Sequence, residues 1–207
     1  MTAIRECISN YKSGAGRLIN KHLSYISAYE HLLSPFKDRD VILAEIGISH
    51  GGSLQMWKEY LGHKAQIYGL DSAEHVFYEE DQIKCFYMDQ SKLETIQSIA
   101  KLIPKIDILV DDGSHVSLDQ IQTFNTLFPN LSEDGLYFVE DTHTSYRELY
   151  GGGYLKPGTF IEFCKSLVGS LNRQETEEIP FTHLTDRIRS VSFYPSLVVI
   201  RKLGNDY

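Results

Sequence analysis

Apolar and polar positions follow two rhythms along this chain. Residues 41–46, VILAEI, are a nearly unbroken apolar run, the pattern of a strand buried on both faces. Residues 66–70 form a second run that ends on Asp71, and residues 83–87 a third that is soon followed by Asp89. Residues 106–110 stop on Asp111 and Asp112, and residues 136–139 stop on Glu140 and Asp141. Between these runs the spacing turns helical, at 53–60, 92–102 and 116–128. The last of these places Val116, Leu118, Ile121, Phe124, Leu127 and Phe128 on roughly one face. A further helix is predicted over residues 18–33, from Leu18, Ile19, Leu23, Ile26, Tyr29, Leu32 and Leu33, with Ser34-Pro35 to end it. Residues 159–171 are amphipathic, and 188–193 and 197–201, split by Tyr194-Pro195-Ser196, read as a terminal hairpin. Residues 1–16 read as an arm or short helix, and 173–178 as an exposed polar stretch. Together these predict a doubly wound α/β fold. Its sheet has seven mostly parallel strands and a C-terminal antiparallel hairpin, in one domain spanning residues 1–207, with 1–35 as an N-terminal helical segment.

Residues 106–141 are the most informative stretch. A strand–helix–strand unit is right-handed and brings both strand ends to one edge of a parallel sheet, where ligands of open α/β sheets bind. Asp111, Asp112, Glu140, Asp141 and His115 would then meet. Gathered like charges cost stability. A bound cation is the simplest compensation, and capping of the following helix is the alternative.

The first strand runs into Glu45-Ile46-Gly47, then Gly51-Gly52-Ser53 opens a helix. Glycines there allow a tight turn and close approach of a ligand. Asp71, at the end of the next strand, can accept both hydroxyl hydrogens of a ribose. Neither G-x-G-x-x-G nor a lysine-bearing phosphate loop is present, which favours S-adenosylmethionine over a pyrophosphate ligand. Asp89 and Gln90 can reach an adenine amino group or cap the next helix; the sequence fits both.

The motifs EIGISHGGSLQMW, GLD, MDQS, DDGSH and VEDTHTSY, in this order, resemble the class I S-adenosylmethionine-dependent methyltransferases, and more narrowly the macrocin O-methyltransferase type. The resemblance covers about residues 20–202, and DDGSH with VEDTHTSY is its most specific part. It implies methylation of a sugar hydroxyl in a glycosylated natural product, with magnesium beside the cofactor. Carried over by motif, the metal carboxylates fall on Asp112, Glu140 and Asp141, and the catalytic base on His115. The cofactor residues are then Glu45, Gly47, Gly51 and Ser53 of the turn, with Asp71, Asp89, Gln90 and Asp111 after later strands. Magnesium suits hard oxygen ligands and keeps positions open for two oxygens of a vicinal diol; zinc would want cysteine or more histidine. A methyltransferase-like fold with another metal-assisted reaction, of the cephalosporin hydroxylase kind, and a non-catalytic cofactor-binding module are the competing readings. His50, His143, Tyr25, Tyr29, Tyr146, Tyr150 and Tyr154 have no assigned role: the tyrosines suit either a sugar pocket or the core and its rim.

The net charge of −8 argues against a general nucleic-acid or anionic-membrane surface. No apolar run has the length of a membrane span. Three widely spaced cysteines, Cys7, Cys85 and Cys164, fit a reducing cytoplasm. The chain is shorter than the family's pattern by an N-terminal extension, which leaves open the acceptor and whether a homo-oligomer forms.

Overall fold

The computed structural model describes residues 3–10, 16–172, 175 and 187–204. Among them are seven strands of a mostly parallel, mixed sheet with helices between, the predicted fold class. The chain falls into two compact units, Met1–Met88 and Asp89–Tyr207.

The first unit holds α1 (Ile4–Asn10), α2 (Ile26–Leu33), β1 (Ile42–Ile46), α3 (Gly52–Leu61), β2 (Gln66–Asp71) and β3 (Ile83–Tyr87). Its strands run parallel in the order β3-β2-β1, with Ile46 beside Leu70 and Asp71 beside Tyr87. Leu43, Ala44 and Ile46 are buried, as the unbroken apolar run requires. Trp57 of α3 is fully buried against Tyr29 of α2, ring centroids 4.9 Å apart. Tyr25 and Tyr29 are thus core residues.

The helix predicted from residue 18 starts later, at a single 3-10 turn, Leu23–Tyr25. His22 stands extended before it and its ring accepts the Ser24 N–H, which sets the helix start. Leu18 and Leu23, counted in the apolar stripe, are exposed. Burial of Lys21 holds the preceding segment instead.

The second unit holds α4 (Leu93–Leu102), β4 (Ile106–Asp111), α5 (Ser117–Leu127), β5 (Leu131–Val139), α6 (Phe160–Ser170), β6 (Ile188–Tyr194) and β7 (Leu197–Lys202). Its order is β4-β5-β7-β6: β4 and β5 are parallel, and β7 runs antiparallel to β5 and to β6. β5 begins five residues before the predicted strand. Ile106 pairs with Leu131 but Ile108 with Leu136, so the polar SEDG stretch is a bulge inside the strand, with Asp134 at φ 59°. Phe124 of α5 stacks on Phe128 and meets Tyr137 and Phe163 edge-on, which ties α5 and α6 to β5. The polar stretch expected at 173–178 lies outside the described residues except Glu175, as do residues 11–15 of the expected arm.

Candidate active site

In the first unit the strand-to-helix turn after β1 is built around backbone. Gly47 has φ 91° and its N–H donates to Leu70 O at 2.8 Å, extending the β1–β2 pairing. Gly51, at φ 74°, precedes α3, and a Cβ at Gly52 would stand 2.3 Å from Leu18 O. Only glycine permits that approach. Asp71 closes the turn from β2. Its Oδ2 accepts the Ile48 N–H at 2.8 Å and its Oδ1 the Ala73 N–H at 2.9 Å. Each carboxylate oxygen retains a lone pair for a ribose hydroxyl.

Glu45 and Ser53 meet each other beside the turn. Glu45 is fully buried; its Oε2 accepts the Ser53 hydroxyl at 2.6 Å and its Oε1 lies 2.7 Å from Lys21 Nζ. Lys21 was not among the expected site residues, because its partner is distant in sequence. The Arg17 guanidinium lies over the Tyr78 ring, 4.6 Å from its centroid, and that ring packs against Gly51. His50 Nδ1 is 3.0 Å from Ser49 Oγ.

In the second unit the strand ends carry the acids. Asp111, at the end of β4, is fully buried. Its Oδ1 accepts the Gln90 amide at 2.9 Å and its Oδ2 the Tyr137 hydroxyl at 2.9 Å. Burial pushes its carboxyl up to about 6 against those two hydrogen bonds, which favour the charged form. The Gln90 amide also donates to Thr123 Oγ1 at 3.2 Å, and its oxygen accepts the Ser114 N–H at 2.7 Å. Gln90, Asp111 and Tyr137 thus form a buried brace under the DDGSH turn. Asp89 accepts from Lys92, Ser91 Oγ–H and Ser91 N–H, which hold its carboxyl down at about 2.

The remaining acids do converge. Asp112, His115 and Asp141 offer ligand atoms within 4.8 Å of one another, and Asp112 and Glu140 offer oxygens equally close. Glu140 is buried and its N–H donates to Asp111 O at 2.9 Å, so the two strand ends are hydrogen-bonded. His115 Nε2 lies 3.7 Å from Asp141 Oδ2, and His143 Nδ1 lies 3.9 Å from Asp141 Oδ1. His115 Nδ1 is buried, with no hydrogen-bond partner among the described residues. Both His115 (φ 57°) and Asp141 (φ 51°) are left-handed, a conformation that costs about 1–2 kcal/mol each without glycine. Strain of this kind gathers at functional sites.

The donor set fits magnesium. Opposite ligands of an octahedral magnesium stand about 4.2 Å apart, from bonds of about 2.1 Å. Carboxylate oxygens within 4.8 Å need only small side-chain movement to meet that. The clustered groups include no cysteine, which zinc and softer metals favour.

Tyr146, Leu149, Tyr154 and Leu155, in the glycine-rich loop after Asp141, are exposed. Among the described residues no helix is long and apolar enough to cross a membrane.

No family model matches the chain. It is 37% identical over 193 residues to 8-demethyl-8-alpha-L-rhamnosyl tetracenomycin-C 2'-O-methyltransferase of Streptomyces olivaceus, covering 88% of this chain and 51% of that one. It is 35% identical over 161 residues to demethylmacrocin O-methyltransferase of Streptomyces fradiae, covering 72% and 40%. Among solved structures it resembles MycE methyltransferase from the mycinamycin biosynthetic pathway, in complex with Mg, SAH and mycinamycin VI. The TM-score is 0.86 at 29% identity, over 99% of this chain and 54% of that one. The chain spans about half the length of the curated relatives it matches.

Proposed function

Because the chain belongs to the macrocin-type, class I S-adenosylmethionine-dependent O-methyltransferases, we propose that it methylates a hydroxyl of a sugar or glycosylated small molecule, with magnesium held at its acid cluster. The observation that carries this reading is the meeting of Asp112, His115 and Asp141. The acceptor is a glycoside with vicinal hydroxyls, and one relative is named for a rhamnosyl compound.

The glycine turn and Asp71 take the nucleoside of S-adenosylmethionine. Asp112, Glu140 and Asp141 hold the ion, which supplies positive charge that lowers the pKa of an acceptor hydroxyl. His115 takes the proton. With Nδ1 buried, Nε2 is the nitrogen left to face the cluster, and Asp141 Oδ2 at 3.7 Å stabilises the imidazolium that forms. The acceptor oxygen attacks the methyl carbon, the carbon–sulfur bond breaks, and S-adenosylhomocysteine leaves. The protein's contribution is chiefly orientation and proton removal.

The test is transfer of a labelled methyl group from S-adenosylmethionine to rhamnosylated acceptors, run with magnesium and with excess chelator. Metal-dependent labelling of the sugar supports the reading. Binding of S-adenosylhomocysteine without transfer to any sugar hydroxyl would redirect it to the competing metal-assisted or binding-only roles.

A further inference from the structure

We infer that Thr144 is a positioning residue whose hydroxyl staples the loop bearing His115 to the loop bearing Asp141. Its Oγ1 lies 2.9 Å from His115 O and 2.9 Å from Asp141 O, and the side chain is buried. The first loop follows β4 and carries Asp112 and His115; the second follows β5 and carries Asp141 and His143. A threonine hydroxyl has one hydrogen to donate, so the two carbonyls share it. The carbonyls it meets belong to the two left-handed residues of the cluster. The hydroxyl therefore acts on backbone where the chain is least content to stay.

Its effect on the two loops is unequal. The Thr144 N–H also donates to Asp141 O at 2.9 Å. When the hydroxyl is removed, the Asp141 carbonyl keeps that bond and the His115 carbonyl loses its own. The backbone at His115 fixes where its imidazole emerges, 3.7 Å from Asp141. Unpinning it lets the DDGSH turn drift from the second loop, and Asp112 sits in the same turn. Gln90 holds this turn at Ser114 N, one residue before His115. Gln90 thus supports the turn from beneath, and the Thr144 hydroxyl ties its His115 carbonyl to the second loop.

This inference rests on the proposed metal-assisted methyl transfer, and its test is arranged to separate the two. Thr144→Val keeps the shape and removes the hydroxyl; Thr144→Ser keeps the hydroxyl. The probe is Mn2+, titrated by calorimetry into purified protein saturated with S-adenosylhomocysteine, alongside methyl-transfer rates and melting temperature. Supports of metal ligands typically carry about 10–100-fold in affinity or activity, and Thr144→Val should weaken Mn2+ binding and turnover by that much. S-adenosylhomocysteine affinity should be unchanged, and Thr144→Ser should restore both losses. A merely structural threonine would lower the melting temperature and leave the Mn2+ affinity alone. Wild-type Mn2+ affinity in Thr144→Val overturns the staple, as does Thr144→Ser behaving like Thr144→Val. Should the valine protein fail to fold, Thr144→Ala against Thr144→Ser decides by the same titration. A wild-type protein that binds Mn2+ but methylates no glycoside removes the proposed function and leaves the titration to judge the staple. A wild-type protein that binds no divalent ion overturns both.

Discussion

Lys21 Nζ stands 2.7 Å from Glu45 Oε1, with side chains only 4% and 0% exposed, so the two form a buried ion pair. Glu45 is the acid that precedes the glycine turn, and Ser53 at the start of α3 donates to its other oxygen. Lys21 thereby fastens the 16–22 segment onto the turn, where Leu18 O closes on Gly52.

Removing one member of a buried pair leaves the other charge uncompensated, at a cost of about 3–5 kcal/mol. Lys21→Met should destabilise the protein by that amount in urea denaturation. Glu45→Gln with Lys21→Met together should recover part of the loss, because no buried charge then remains. Equal stability of Lys21→Met and wild type would mean the pair is not closed in solution.

Asp111 gives a pH dependence. Its carboxyl is raised to about 6 by burial, above the ordinary carboxylate range, so the folded state holds the proton more tightly than the unfolded chain. Its contribution to stability is full below the unfolded pKa near 4 and is lost as the pH rises through about 6. A shift of about two units amounts to at most about 3 kcal/mol. The stability difference between wild type and Asp111→Asn, measured by denaturation of metal-free protein, should therefore fall between pH 4 and pH 7 in wild type's disfavour. A difference that stays flat across that window would show that Asp111 titrates normally.

The alternation of apolar runs with helical spacing made the strands of each unit and the meeting of Asp112, His115, Glu140 and Asp141 legible from sequence. Periodicity reports burial along one element, and strand ends report chemistry. The Leu131–Val139 strand escaped because SEDG has the composition of a turn, while the chain uses it as a bulge inside a pairing that resumes at Leu136. The polar brace escaped for another reason. Gln90, Asp111 and Tyr137 each look ligand-directed or merely apolar in one dimension, and only three-dimensional packing shows that they satisfy one another. Asp111 and Asp112 are adjacent acids with different fates: Asp111 is the last residue of β4 and buried, whereas Asp112 begins the turn beyond the strand.

Asp141 is the acid of the cluster most entangled with histidine, lying within 4 Å of both His115 and His143. Asp141→Asn removes its charge and keeps its shape. The magnesium concentration for half-maximal methyl transfer should rise about 10–100-fold, the range seen when a metal site is perturbed. S-adenosylhomocysteine binding should persist, since the nucleoside contacts assigned above do not use Asp141. An unchanged magnesium requirement would take Asp141 out of the ligand set.

His115 carries the chemical step. An alcohol is a poor nucleophile at neutral pH, and a positioned general base is worth about 10²–10⁴ in rate. His115→Ala should lower kcat by that factor while cofactor affinity stays near wild type. Only an unprotonated imidazole accepts a proton, so the wild-type rate should fall on the acid side of its profile, and the alanine variant should lose that limb. The turn offers a competing role, because His115 is a left-handed residue whose carbonyl is held by Thr144. Removing the imidazole leaves that backbone contact in place, so a loss of rate in His115→Ala reports the ring. His115→Asn tests the point further, since asparagine tolerates the left-handed conformation better than alanine does. If strain at this position were the whole story, His115→Asn would recover the rate. Equal losses in His115→Ala and His115→Asn, with melting temperatures close to wild type, identify the ring as the base; near-normal turnover in either would move that role to His143, the other imidazole beside Asp141.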